Sequence, residues 1–291
     1  MNNNPNNVRI ATVQWKMQLF ASVGAMLAHI DNLILEATEK GADFILFPEL
    51  FTTPLIHLIP HTTGPEAIMK LSEYTDQFVK HFNEQALQNK INIITGSMPI
   101  YEEGIVKNVG YVCHRDGRIE KYEKLHITPA EESLWGVKGG NSLKTFDTDM
   151  GKIGVLICYD VEFPELGRLL AEGGMQVLFV PFNTYNVHAY MRVRICAAAR
   201  AVEDECYVVI SGSTGEMREV ANMETNYSQV AIFTPSDNNF PANAIAVESG
   251  LNTEELIFGD VDLAKLEHLH NSGSVKNLKE RRTDFYSLKK L

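Results

Sequence analysis

The first part of the chain alternates short apolar runs with a stretch of helical periodicity. Residues 8–15 (VRIATVQW) are rich in β-branched and aromatic residues, which is typical of a strand. Across residues 22–40 apolar side chains recur at helical spacing, and Gly41 follows where a helix is expected to end. Residues 43–47 (DFILF) form an apolar run typical of a buried strand. This order predicts a β-α-β unit, and Glu49 lies just beyond its second strand.

The next segment is predicted to contain a long helix and a hairpin. Residues 64–90 carry apolar side chains on roughly one face of a helix, which predicts a single amphipathic helix. Residues 107–114 and 119–124 flank an Asp-Gly pair, which is a strong signal for a β-hairpin. Lys124 is therefore expected at the end of the second hairpin strand.

A strand, a sharp turn and a helix are predicted around residue 158. Residues 152–157 form a short run rich in Ile, Val and Leu, which predicts a buried strand with Cys158 at its carboxyl end. Pro164 suits the first turn of a helix, and residues 165–172 continue it with good helix formers. Such a turn can raise one side chain above the sheet and direct backbone N–H groups at whatever it attacks. The geometry suits a nucleophile.

In the rest of the chain predicted strands and helices continue to alternate, and the signal then weakens. Residues 176–180 and 188–205 predict another strand and helix, and beyond residue 254 the signal weakens. In this helix the side chains expected to face the core are Ile195, Ala198, Ala199 and Val202. We expect residues 1–270 to form one domain, and residues 271–291 to form a tail packed on the domain or on a neighbouring subunit. Mixed β-α-β units and hairpins indicate an α/β or α+β fold.

The composition narrows the class of protein. The 291 residues are 45% hydrophobic and carry a net charge of −11. This balance disfavours nucleic acid and anionic membrane surfaces as partners, because phosphate binding needs clustered Lys and Arg. No apolar run reaches the ~18 residues that a membrane helix needs. The four cysteines form no C-x-x-C pair and the amino terminus lacks a signal-peptide pattern, so we expect a reduced, cytoplasmic setting.

Several polar residues that follow apolar runs have a structural interpretation beside a chemical one. A cysteine in an apolar run is most often a small buried hydrophobe, which is our interpretation of Cys196 and Cys206. Glu49, partly desolvated after its strand, suits general-base work but could equally cap a loop. Lys124 taken alone is most simply a solvated surface lysine. Cys158 can serve as a nucleophile if a base and a cation lie beside it, and we then expect them to favour its thiolate.

One pair of histidines has the spacing of a metal site. His57 and His61 are arranged as H-x-x-x-H, like a zinc pair. Pro60 lies between them and interrupts the helix that would place both side chains on one face. We therefore predict no metal at this position.

Glu49, Lys124 and Cys158 occur in an order and in motifs that resemble the nitrilase (carbon–nitrogen hydrolase) superfamily. The matching motifs are FPEL at 47–50, KLHITP at 124–129, ICYD at 157–160 with FPE at 163–165, and RAVED at 200–204. The resemblance covers residue 8 to about residue 260. It implies a Glu-Lys-Cys catalytic triad, a four-layer α-β-β-α sandwich of the nitrilase type, and usually a homodimer.

The resemblance also implies a reaction. The expected enzyme hydrolyses a non-peptide carbon–nitrogen bond, converting a small amide to a carboxylic acid and ammonia through a cysteine thioester and without a cofactor. N-carbamoyl hydrolysis and nitrile hydrolysis are the alternatives within the family. A catalytically silent binding protein on the same scaffold would be expected to lack a triad member, and none is lacking here. A zinc-dependent amidohydrolase would need a His/Asp cluster at ligand spacing.

Further site residues follow from the same resemblance. A second glutamate after the lysine is expected at Glu131, from the pattern K-x-H-x-T-P-x-E, with the adjacent Glu132 left open. Many relatives resembling omega-amidases carry an arginine after C-Y-D-x where this chain has Glu162, so a cation for a substrate carboxylate is absent from that position. The backbone N–H of Tyr159 is expected to help Lys124 hold an oxyanion. The residues expected to line the substrate pocket, or else to serve packing, are Trp135, Tyr159, Tyr185 and His188.

Overall fold

The computed structural model describes residues 6–60, 64–220 and 223–290. The strands are β1 (Asn7–Lys16), β2 (Phe44–Leu46), β3 (Asn92–Ile94), β4 (Met98–Glu102), β5 (Ile105–Cys113), β6 (Ile119–Glu123), β7 (Val137–Lys138), β8 (Phe146–Thr148), β9 (Gly151–Val155), β10 (Val177–Phe182), β11 (Tyr207–Glu216), β12 (Thr225–Asn226), β13 (Ala231–Phe233), β14 (Ile245–Glu248) and β15 (Glu255–Asp262). The α-helices are α1 (Val23–Glu39), α2 (Gly64–Leu71), α3 (Thr75–Asn89), α4 (Pro129–Trp135), α5 (Pro164–Glu172), α6 (Val187–Glu203) and α7 (Leu263–Ser272). Short 3₁₀ helices cover Thr53–Leu58, Ser72–Tyr74 and Cys158–Glu162.

The strands form one continuous, strongly folded sheet. Its main path runs β4-β5-β3-β2-β1-β11-β10-β9-β8. The pairs from β3 through β2, β1, β11 and β10 to β9 are all parallel. β5 is antiparallel to β3, and β6 is antiparallel to β5, so β6 runs in the same direction as β3. The carboxyl ends of β2, β6, β9 and β10 therefore point to the same side of the sheet, where ligands bind in open α/β sheets.

Alternate residues of the first half of the sheet enter two different cores. In β2, Phe44 faces the second half of the sheet and contacts Phe179 of β10, with ring centroids 5.4 Å apart. Its neighbour Ile45 faces the opposite way, into the core that α1 and α3 cover. Helices α5 and α6 cover the outer face of the second half, with Leu170 and Val193 among their buried residues. The layers are thus helix, sheet, sheet and helix, which confirms the four-layer α/β sandwich.

The single long helix predicted for residues 64–90 is wrong. Helix α2 ends at Leu71, a 3₁₀ turn follows, and α3 begins at Thr75. The hydroxyl of Thr75 donates to the Pro99 carbonyl at 2.6 Å, and that of Ser72 donates to the Met69 carbonyl at 2.6 Å. Hydroxyl groups that bond carbonyls compete with the helical ladder, which is consistent with the 3₁₀ turn that separates α2 from α3 here.

The predicted inward face of α6 is also wrong. Ile195 is 58% exposed and Val202 is 38% exposed, while Ala198 and Ala199 are half-buried. The side chains that face the core are Ala189, Tyr190, Val193, Ala197, Arg200 and Ala201. The helix has two apolar stripes, and the one with more alanines lies inward. Small residues let the helix approach the sheet closely. Cys196, predicted to be a core residue, is half-buried, whereas Cys206 is buried as expected.

The carboxyl-terminal region contains more regular secondary structure than the sequence predicts. Strand β15 pairs antiparallel with the whole of β1 up to Gln14, and α7 follows it. The tail after α7 then contacts the rest of the chain: the backbone N–H of Asn277 donates to Glu205 at 2.6 Å, and Lys290 Nζ donates to the Leu143 carbonyl at 2.7 Å. A cavity of about 620 Å³ lies between this tail and α5 and α6. The domain boundary at residue 270 stays a prediction, since α7 continues to Ser272.

Candidate active site

The carboxyl ends of four strands meet around one cavity of about 550 Å³. Glu49 follows β2, Lys124 follows β6, Cys158 lies three residues after β9, and Asn183 follows β10. Helices α4 and α6 supply two further walls, through residues such as Trp135 and Ala189. The predicted strand-end residues are thus brought to one place by the common strand direction.

Lys124 lies between two carboxylates. Its ammonium donates to Glu49 Oε1 at 2.7 Å and to Glu131 Oε2 at 2.6 Å. The Asn108 amide joins the same carboxylates, donating to Glu49 Oε1 at 3.0 Å and to Glu131 Oε1 at 3.2 Å. Glu49, Lys124 and Glu131 are each no more than 4% exposed. Lys124 is therefore a buried, fixed cation and not a solvated surface lysine.

The register of α4 places Glu131 and Glu132 in different surroundings. Thr128 caps this helix, and its side chain and Glu131 form a reciprocal capping box. Glu131 Oε2 accepts from both the backbone N–H and the hydroxyl of Thr128 while it holds Lys124. Glu132 points outward, with its side chain 62% exposed and paired to Lys138 at 2.9 Å. Only the first of the two glutamates contacts Lys124.

Glu49 is fixed by the loops around it. Its Oε2 accepts from the backbone N–H of Asn183 at 2.9 Å. The next residue, Leu50, has a φ of 50° and donates its N–H to the Ser97 carbonyl at 2.9 Å. Gly96, with a φ of 68°, permits this packing, because a Cβ there would lie 2.0 Å from the Pro48 carbonyl oxygen. The carboxylate is therefore held inside the cavity by hydrogen bonds to both of its oxygens.

Cys158 occupies a sharp turn at the first residue of a 3₁₀ helix. Its φ of 50° is in the left-handed region, which non-glycine residues rarely adopt and which is found at strained functional turns. The side chain is 6% exposed, and its Sγ lies 3.7 Å from the Asn183 carbonyl oxygen. The N–H of Tyr159 comes next, in the first turn of the helix, where N–H groups have no partner within the helix. Cys158 and Tyr159 both line the cavity.

The electrostatics of the site favour a neutral thiol beside a permanent cation. Burial, and then the charge of Glu49, raises the pKa of the Cys158 thiol well above its ordinary value. Burial also raises the pKa of Glu49. Burial opposes the charge of Lys124, but Glu131 and Glu49 raise its pKa well above its ordinary value. Among the charged neighbours Lys124 lowers the pKa of Cys158 whereas Glu49 and Glu131 raise it, so the expectation that its neighbours favour the thiolate holds for Lys124 alone.

A third buried carboxylate, that of Asp160, ties the Lys124 segment to the Cys158 turn. Asp160 Oδ2 accepts from the backbone N–H of Leu125 at 3.1 Å, and Oδ1 accepts from that of His126 at 2.7 Å. The His126 ring lies 2.9 Å from the same Oδ1 through Nδ1 and stacks on Phe163 at 3.6 Å. These contacts join the residues after Lys124 to the residues after Cys158. The relative position of ammonium and thiol depends on them.

Three of the four residues predicted to line a substrate pocket do so. Trp135, Tyr159 and Tyr185 line the cavity. His188 does not, because it is exposed on the outer side of the first turn of α6, and that prediction is wrong. The next residue, Ala189, takes the inward position instead.

The sequence interpretation missed three residues of the site, Asn108, Asn183 and Arg192. Asn108 is one of two adjacent polar residues in a hairpin strand, Lys107 and Asn108, and only its burial distinguishes it. Asn183 follows an apolar strand just as Glu49 does, and this signal could have identified it. Glu162 and Arg192 face the cavity and form an ion pair, Arg192 Nε to Glu162 Oε2, at 3.4 Å. Arg192 thus places a cation of α6 beside position 162.

Neither a metal cluster nor a membrane-spanning helix is found in the part of the chain that the structure describes. No group of three or more His, Cys, Asp and Glu side chains there could hold a metal ion. His57 is exposed and bonds the Pro54 carbonyl, while His61 lies outside the described residues. None of the helices within residues 6–60, 64–220 and 223–290 is long and apolar enough to cross a membrane.

The sequence matches a known family over most of its length. The family model described as "Carbon-nitrogen hydrolase" matches residues 9–271. The chain belongs to the carbon–nitrogen hydrolase family. This membership in the nitrilase superfamily confirms the resemblance drawn from the motifs.

Individual relatives of this carbon–nitrogen hydrolase carry related descriptions. It is 41% identical over 281 residues to the "Probable hydrolase YhcX" of Bacillus subtilis, covering 97% of this chain and 55% of that protein. The chain therefore spans about half the length of that relative. It is 28% identical over 290 residues to the "Omega-amidase NIT2" of Mus musculus, covering 96% of this chain and 97% of the other.

Solved structures agree on the fold. A carbon–nitrogen hydrolase from Helicobacter pylori superimposes with a TM-score of 0.81 at 19% identity, covering 97% of each chain. The Nit3 protein of Saccharomyces cerevisiae superimposes with a TM-score of 0.78 at 24% identity, covering 95% of this chain and 97% of the other. At these identities the likeness concerns the fold alone.

Proposed function

We propose that this carbon–nitrogen hydrolase converts a small amide to its carboxylic acid and ammonia through a thioester on Cys158. The observation that carries the proposal is the fixed Lys124 ammonium, held by Glu49 and Glu131 in the cavity that also contains the thiol. The relatives named omega-amidases support amide hydrolysis over nitrile or N-carbamoyl hydrolysis. No cofactor is needed for the reaction.

In the first half-reaction Glu49 accepts the thiol proton of Cys158 as the sulfur attacks the amide carbon. The thiol is neutral at rest, so a base must act in this step. The oxyanion that forms is held by Lys124 Nζ and the N–H of Tyr159, and such donors act strongly in a water-poor site. Glu49 then returns the proton to the nitrogen, the carbon–nitrogen bond breaks, and ammonia leaves a thioester on Cys158.

In the second half-reaction Glu49 takes a proton from water, and the hydroxide attacks the thioester carbon. The same donors hold the second oxyanion. When the carbon–sulfur bond breaks, the thiolate recovers the proton from Glu49 and the carboxylic acid is released. Glu131 keeps Lys124 charged and in place throughout, because it compensates the buried ammonium.

The experiment that tests this proposal follows ammonia and protein mass together. Purified enzyme should release ammonia from a small primary amide faster than from the matching nitrile or N-carbamoyl compound. Intact mass spectrometry during turnover should show an acyl adduct, and peptide mapping should place it on Cys158. Ammonia release by a Cys158→Ala variant at the wild-type rate would contradict the proposal, and Cys196→Ala is the matched control.

Asp160 should affect the reaction through position alone. In Asp160→Asn the amide nitrogen faces the N–H of Leu125 or His126, so at least one charge-assisted bond is lost, which costs ~1.5–3 kcal/mol. We expect kcat to fall at least about tenfold with KM nearly unchanged, measured well below the melting temperature. Asp147→Asn, at a side chain 83% exposed, is the control. A normal kcat in a folded Asp160→Asn enzyme would show that this carboxylate does not position the site.

The homodimer expected from the resemblance is part of the same proposal. Helix α6 presents Met191, Ile195 and Val202, all more than a third exposed, on its outer side. An apolar stripe of this kind suits burial against a second copy of the chain. Light scattering at micromolar concentration should give a mass above the 32.6 kDa of one chain. A monomer mass that persists as the concentration is raised would contradict it.

A further inference from the structure

The cavity has a deep end and a mouth that differ in exposure. At the deep end Cys158, Lys124 and Glu49 are all at most 6% exposed. At the mouth Tyr185 is 60% exposed, and the Arg192 side chain is 57% exposed. A substrate whose amide reaches Cys158 therefore extends its other end towards Tyr185 and Arg192.

At the mouth of the cavity one carboxylate and one guanidinium lie side by side. Glu162 ends the 3₁₀ helix that begins at Cys158, and Arg192 lies on α6. Their 3.4 Å contact runs through Arg192 Nε and Glu162 Oε2. Among the residues that the structure describes, no hydrogen bond of either side chain to a third group is found. The other carboxylate oxygen and the outer guanidinium nitrogens therefore remain available to a ligand.

The burial of Glu162 distinguishes this pair from an ordinary surface ion pair. Its side chain is only 17% exposed, so the carboxylate has lost much of its hydration for one partner at 3.4 Å. Burial raises the pKa of Glu162, and the charge of Arg192 opposes this effect. An ion pair on the protein surface contributes about 0–1 kcal/mol to stability. A contribution of this size does not require that the pair lie in a binding cavity. The partly desolvated carboxylate of Glu162 gains more binding free energy from a second cationic partner than the carboxylate of a surface ion pair would.

We propose that Glu162 and Arg192 bind the zwitterionic head group of an α-amino acid whose side chain ends in the amide that is cleaved. The inference rests on the proposed function. The guanidinium fork matches a carboxylate, and the Glu162 carboxylate matches an ammonium. In an α-amino acid these two groups are attached to one carbon, so they lie side by side as the protein groups do.

Head groups with a single charge fit the mouth less well. A lone carboxylate bound to Arg192 would lie near Glu162, and like charges repel in a partly desolvated site. A lone ammonium bound to Glu162 would lie near the guanidinium of Arg192 in the same way. A zwitterion satisfies both protein groups and leaves the net charge of the mouth unchanged.

The test compares an amino acid with analogues that lack one charge. The reference is whichever of L-asparagine and L-glutamine is cleaved faster, measured as kcat/KM for ammonia release. The analogues of the same chain length lack the amino group, the carboxylate, or both. Each charge-assisted contact at a partly exposed site is expected to contribute about tenfold, so the amino acid should exceed each single-charge analogue by about that factor.

Two variants assign the charges to their partners. In Glu162→Gln the preference for the amino acid over the analogue without an amino group should fall from about tenfold towards one. In Arg192→Gln the preference over the analogue without a carboxylate should fall in the same way. Arg194→Gln is the matched control, because Arg194 lies on the same helix, pairs with Glu248 at 2.5 Å and does not line the cavity. Its preferences should equal those of the wild type.

The outcomes separate this inference from the proposed function. Equal cleavage of the amino acid and the uncharged analogue, or preferences that survive both substitutions, would overturn the inference and leave amide hydrolysis intact. If no amide is cleaved, the proposed function fails, and calorimetry on the Cys158→Ala protein decides the inference. Binding of the amino acid about tenfold tighter than the uncharged analogue, lost in Glu162→Gln, would then support the subsite. Equal binding would overturn it.

Discussion

Glu49→Gln should lower kcat by about 10² to 10⁴, because the variant has no base for the thiol or for water. The amide is close to the carboxylate in size, but it cannot accept at both oxygens. Oε1 now accepts from Lys124 and Asn108, and Oε2 accepts from the N–H of Asn183. Either orientation of the amide places a donor against a donor. We expect a modest fall in melting temperature beside the loss of rate.

The measurement is kcat on a cleaved amide, with circular dichroism and melting temperature as folding controls. Glu132→Gln is the matched control, since that glutamate is exposed and pairs only with Lys138. The wild-type pH profile gives a second readout. Burial raises the pKa of Glu49 above 4.5, so activity should be lost as the pH falls through a midpoint above 4.5. The raised pKa values of Cys158 and Lys124 predict no loss up to pH 9. Near-normal kcat in folded Glu49→Gln enzyme would refute its role as base.

Lys124→Met should reduce both activity and stability. Loss of one oxyanion donor typically costs about 10² to 10³ in rate. Breaking a buried ion pair costs about 3–5 kcal/mol, because the partner charge stays buried. Here two carboxylates, Glu49 and Glu131, lose their shared cation. For a chain of this size the melting temperature should fall by roughly 10 °C at neutral pH.

The stability defect of Lys124→Met should depend on pH in a defined direction. Without the ammonium the folded-state pKa values of Glu49 and Glu131 rise above those of the unfolded chain. The folded state then binds more protons, so stability falls as the pH rises from about 4.5. Melting curves at pH 5 and pH 8, compared with Lys138→Met, would show this. An equal defect at both values would mean that the carboxylates do not depend on Lys124 for their charge.

The strand-end residues of the site could be predicted because local sequence determines them. Glu49, Lys124 and Cys158 each follow a short apolar run or a hairpin signal, and a common strand direction brings such ends together. Asn108 could not be predicted in this way. Its role depends on hydrogen bonds to two carboxylates from other parts of the chain. The sequence around Asn108 contains no pattern that predicts these bonds.

For the helices, too, the local sequence predicts some features, whereas others depend on tertiary packing. The existence of α6 follows from its periodicity, but its inward face does not, because Ile195 and Val193 lie on two competing apolar stripes. Packing of the stripe rich in alanine decides the rotation, and that rotation also brings Arg192 to the cavity. Strand β15 was missed because its pairing with β1 joins residues more than 240 positions apart, from Gln14 with Glu255 to Asn7 with Asp262.

The two contacts of Glu131 have a consequence for directed evolution of this enzyme. One oxygen of this side chain both caps α4 and holds Lys124, so folding of the cavity wall and charge balance of the site depend on the same atom. A library that randomises the whole helix would discard most members for lack of this carboxylate. Pro129, Ala130 and Trp135 line the cavity without bonding Lys124, and they are positions of α4 where variation can alter substrate choice while the ammonium stays in place.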